Sequence, residues 1–195
     1  MDGPNAVTRC LDDLQTTWEA YRENEHSRIC RWLVPQDAFA LIDAFYQVNA
    51  DESSESPEIF LRFESPFLNA SSYGKSLSEE LAAFVEGDRQ ALLDDGIGIP
   101  WSSDHRDDPQ NTALGFLRNL FHFALSLDLE DDEPLVAFIS PLTIEDPAGW
   151  KKWWSDVLSL QLPPPDCSHG LRSPGKRLPA IALRKIPRCP HHART

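Results

Sequence analysis

Three stretches of the chain repeat one order: a short apolar run, a proline, then a segment with apolar residues at helical spacing. They are RICRWLVP with QDAFALIDAFYQ, EIFLRFESPFLNASSYG with KSLSEELAAFV, and PLVAFISPLTIEDP with AGWKKWWSDVL. Parallel strands need a crossover between them, and the usual crossover is a helix. Apolar runs alternating with helices therefore predict an α/β fold. The expected form is a small three- to four-stranded, mostly parallel sheet flanked by helices, a Rossmann-like three-layer arrangement.

Spacing places the elements. Val7, Cys10, Leu11, Leu14, Trp18 and Tyr21 predict an amphipathic helix over 5–24. A first strand is expected over 28–34, stopped by Pro35, followed by a helix over 37–48 with Ala38, Leu41, Ile42, Phe45 and Tyr46 on one stripe. IFLRF (59–63) reads as a strand nearer an edge, because Arg62 and Glu64 break its apolar run. A helix over 72–94 carries Leu77, Leu81, Phe84, Val85 and Leu92. The next, over 112–127, is apolar nearly all round, so burial on more than one side is expected, with His122 a hydrogen-bonded core histidine. PLVAFI (134–139) is unbroken and predicts a central strand buried on both faces.

The last helix has the clearest start. Asp146 is a capping residue and Pro147 suits the first helical position. Trp150, Trp153, Trp154, Val157 and Leu158 then fall on one stripe, which reads first as a core face and second as a partner-binding aromatic stripe.

Charge divides the chain. Of its 195 residues, 166–195 hold seven Lys/Arg and one Asp, leaving 11 basic and 30 acidic side chains in 1–165. An acidic body repels nucleic acid and anionic membrane, so neither is an expected partner. No run reaches the roughly 18 apolar residues of a membrane helix, and MDGPNAVTRC lacks the pattern of a secretory signal. Four cysteines without a CxxC pair suit a reducing cytoplasm, with Cys10 and Cys30 read as buried thiols. The expected organisation is one acidic domain over 1–162 and a basic, Pro/Cys/His-containing tail over 163–195. Within the tail, PAIAL (179–183) suits an edge strand, because proline and positive charge favour edges. The abrupt change after Leu162 also fits a truncated or shifted reading frame.

One segment approaches a phosphate-binding motif. NASSYGKS (69–76) follows a strand, opens a helix, and matches the last three positions of G-x-x-x-x-G-K-[ST] with Gly74, Lys75 and Ser76. Asn69 stands where the first glycine belongs. The order of elements loosely resembles a P-loop NTPase core, which implies loop amides and Lys75 on phosphates and Ser76 on Mg2+. Against it, SPFL separates strand from loop, and LVAFI ends in Ser140 where such enzymes place a metal-binding Asp. DHRDD (104–108) and Cys167, His169, Cys189, His191 and His192 offer ligand atoms, but at spacings that favour a solvated loop and tail over a metal site. No nucleophile elbow or catalytic set is present, so no catalytic residue, cofactor or metal is expected. The function that fits is a non-catalytic protein-interaction or regulatory domain, a piece of a larger multidomain system. The alternative is a divergent nucleotide-binding domain using Gly74, Lys75 and Ser76.

Overall fold

Four strands and five helices follow the predicted order in a computed structural model that describes residues 6–23, 29–32, 38–51, 58–94, 101–102, 112–127, 135–160 and 180–184. They are α1 (Ala6–Arg22), β1 (Ile29–Trp32), α2 (Phe39–Ala50), β2 (Ile59–Phe63), α3 (Tyr73–Asp94), α4 (Thr112–Ser126), β3 (Leu135–Ile139), α5 (Pro147–Ser159) and β4 (Ala180–Arg184). The chain is thus a mixed α/β protein whose strands pair in parallel, in the order β1-β4-β3-β2.

Side-chain alternation along the strands divides the core in two. Leu61 faces the same side as its partner Ala137, and Phe63 the same side as Ile139. With Leu135 they pack under α3, α4 and α5. Phe60, Val136 and Phe138 point the other way and join Cys30, Trp32, Ile42, Phe45 and Trp18 beneath α1 and α2. All five residues of β3 are buried, as expected of a strand covered on both faces. β2 ends the strand order, as its broken apolar run predicts.

The placement of the helices follows from the direction of each crossover. From β1 the chain passes to the far side of the sheet through α2, then steps back to β3 through α3 and α4, and to β4 through α5. Right-handed crossovers run in opposite directions put their helices on opposite faces. Accordingly α2 lies with one cluster and α3, α4 and α5 with the other.

Three expectations need correction. The PAIAL strand is not at an edge: β4 lies between β1 and β3 and pairs with both. Pro179, which argued for an edge, stands one position before the strand's first residue, so no amide within β4 is lost to proline. Cys10 is exposed, because residues 6–10 of α1 are all exposed and Trp18 is that helix's buried anchor. Cys30 is buried as expected, and burial pushes its thiol up to about 11. His122 is exposed: α4 buries a stripe of Ala113, Phe116, Leu117, Asn119, Leu120 and Phe123, and His122 lies off it.

The tryptophan stripe of α5 is core. Asp146 Oδ1 accepts the Gly149 amide at 2.9 Å and caps the helix, with Pro147 in the first turn. Trp150, Trp153 and Trp154 are 9%, 1% and 5% exposed and belong to the core cluster under α3, α4 and α5. Trp153→Ala is expected to destabilise the chain by about 3–5 kcal/mol in urea unfolding, as other buried large-to-small changes do. Leu158→Ala, at a position 64% exposed on the same helix, is expected to change stability by less than about 0.5 kcal/mol.

Candidate functional site: the crest beyond β2 and β3

Open α/β sheets bind ligands outside the carboxyl ends of their strands. Here β2 and β3 do not end in free loops. Each is followed by the same local pattern, Ser65-Pro66-Phe67-Leu68 after β2 and Ser140-Pro141-Leu142-Thr143 after β3. The two segments continue side by side. Ser140 N donates to Phe63 O at 2.8 Å, and Leu142 N to Glu64 O at 3.1 Å. Phe67 N then donates to Thr143 O and Glu145 N to Phe67 O, both at 2.9 Å, and Phe67 pairs with Ile144 in a parallel bridge. A parallel ladder uses amides of alternate residues, and Pro66 and Pro141, which have none, each precede a residue whose amide is bonded.

Aromatic packing anchors this crest to the core. Phe67 is fully buried, with its ring centroid 4.9 Å from Tyr73 and 5.1 Å from Trp150 in edge-to-face contacts. Tyr73 also meets Trp153 edge-on at 5.1 Å. Such pairs add about 0.5–1.5 kcal/mol each beyond area burial. Burial, with the Glu80 carboxylate adding to it, raises the Tyr73 hydroxyl well above its ordinary range, so it stays protonated.

Glu80 of α3 closes the turn after β2. Its Oε1 accepts the Glu64 amide at 2.7 Å and its Oε2 the Ser65 amide at 3.0 Å. A carboxylate on two amides makes charge-assisted bonds, stronger than neutral ones. Two amides at the strand's carboxyl end, which an anionic ligand would use, are thus taken by the chain itself. Nearby, Arg62 donates to Asp43 Oδ1 at 2.9 Å, forms an ion pair with Glu64 at 2.8 Å and lies 5.2 Å from the Tyr46 ring centroid.

Gly74, Lys75 and Ser76 sit in the first turn of α3. The segment before them is a turn organised by Asn69, whose Oδ1 accepts the amides of Ser71 and Ser72 at 3.1 and 3.0 Å and both hydroxyls. Asparagine favours such turns because its side chain mimics a backbone acceptor. The Ser76 amide donates to Ser72 O at 3.1 Å. Gly74 has a packing reason: a Cβ there would lie 1.9 Å from the carbonyl oxygen of Thr112, where α3 crosses the start of α4. Ser78 Oγ, bonded to Gly74 O at 2.9 Å, accepts from Asn119 Nδ2 at 3.1 Å and joins the same helices by a buried polar link. Gly74, Lys75 and Ser76 are thus brought together in the first turn of α3, with the Ser76 amide bonded to Ser72 O and Gly74 against the start of α4.

Sequence reasoning missed Glu80, Phe67, Leu68 and Leu142. The repeated Ser-Pro-apolar-residue pattern was the available signal for the crest; nothing in the local sequence marks Glu80 as the residue that closes it. Among the described residues no group of three or more His, Cys, Asp and Glu side chains could hold a metal. DHRDD (104–108) and the Cys/His residues of the tail lie outside the described residues. No described helix is long and apolar enough to cross a membrane.

The chain matches no family model, no curated protein and no solved structure.

The helix-contact role of Gly74 separates cleanly from a phosphate role. Gly74→Ala is expected to lower stability by about 1–3 kcal/mol or more, because the methyl group meets backbone rather than a movable side chain. Lys75→Ala, on the exposed side of the turn, is expected to stay within about 0.5 kcal/mol of the parent in the same thermal or urea unfolding assay.

Proposed function

We propose that the chain is a non-catalytic α/β interaction or regulatory domain that acts on a protein partner, as one piece of a larger multidomain system working in the cytoplasm. The Rossmann-like description of its sheet and helices is part of this reading. The observation that carries it is the crest. At the ends of β2 and β3, where related architectures open a ligand site, this chain spends Glu80 on two amides and Phe67 on the aromatic core. The same segments turn Leu68 and Leu142 outward, 49% and 71% exposed. A surface that is closed to small anions, firmly held and apolar at its tip suits recognition of another macromolecule better than chemistry. The acidic body sets the partner's sign as basic or neutral.

No observation favours the alternative nucleotide site at Gly74, Lys75 and Ser76, and one experiment separates the two readings. Thermal melting of the full chain with Mg-ATP or Mg-GTP is expected to show no shift. A ligand at about 100 times its dissociation constant adds about 2.7 kcal/mol, several degrees for a chain of this size. A shift of that size, abolished by Lys75→Ala, overturns the interaction reading in favour of nucleotide binding.

A further inference from the structure

We draw no further inference here: the strongest candidate, the exposed amino-terminal end of α1, where Val7 and Cys10 carry the apolar stripe of Leu11, Leu14 and Trp18 on past the core, is an unpartnered helix face, and nothing in the structure shows what covers it.

Discussion

Burial of β3 on both faces is the constraint on which the rest of the structure depends. Every residue from Leu135 to Ile139 is covered. Val136 and Phe138 belong to one cluster and Leu135, Ala137 and Ile139 to the other. A strand so placed requires helices above and below and paired strands on both sides, since unpaired buried backbone is costly. β2 and β4 supply the pairing, α1 and α2 one cover, and α3, α4 and α5 the other.

The crest follows from the same constraint. Because β2 and β3 are in register at Phe63 and Ile139, the residues beyond them leave the sheet side by side and continue to bond. Phe67 then falls over the α3 and α5 aromatics, where edge-to-face contacts with Tyr73 and Trp150 hold it. Glu80 reaches from α3 to the two amides left at the turn. Closure of this end of the sheet is thus a consequence of packing as much as of any added device. It also leaves the outward side chains, Leu68 and Leu142, on a fixed frame.

Much of the fold was legible because its determinants are local. The 3.6-residue apolar period located α1 through α5 to within a few residues, and Asp146-Pro147 located the start of α5 because cap and first-turn proline act within one turn. The unbroken LVAFI run located the doubly covered strand. Interior placement of β4 was not legible: proline and positive charge bias a strand toward an edge, but strand order depends on pairing with β1 and β3, which are distant in sequence. For the same reason Gly74 read as half of a phosphate motif. Its determinant is the Thr112 carbonyl, a tertiary contact that no local pattern reports. Glu80 escaped notice because its partners, the Glu64 and Ser65 amides, lie on another element.

The crest is a bonded continuation of the sheet and not a loop. Native-state hydrogen exchange on the Glu64, Ser65, Phe67, Leu142 and Glu145 amides tests it most directly. Opening free energies within about 2 kcal/mol of those of the β3 amides are expected, the behaviour of one cooperative unit. Exchange of these five amides at the rate of an unstructured peptide, with β3 still protected, would contradict it.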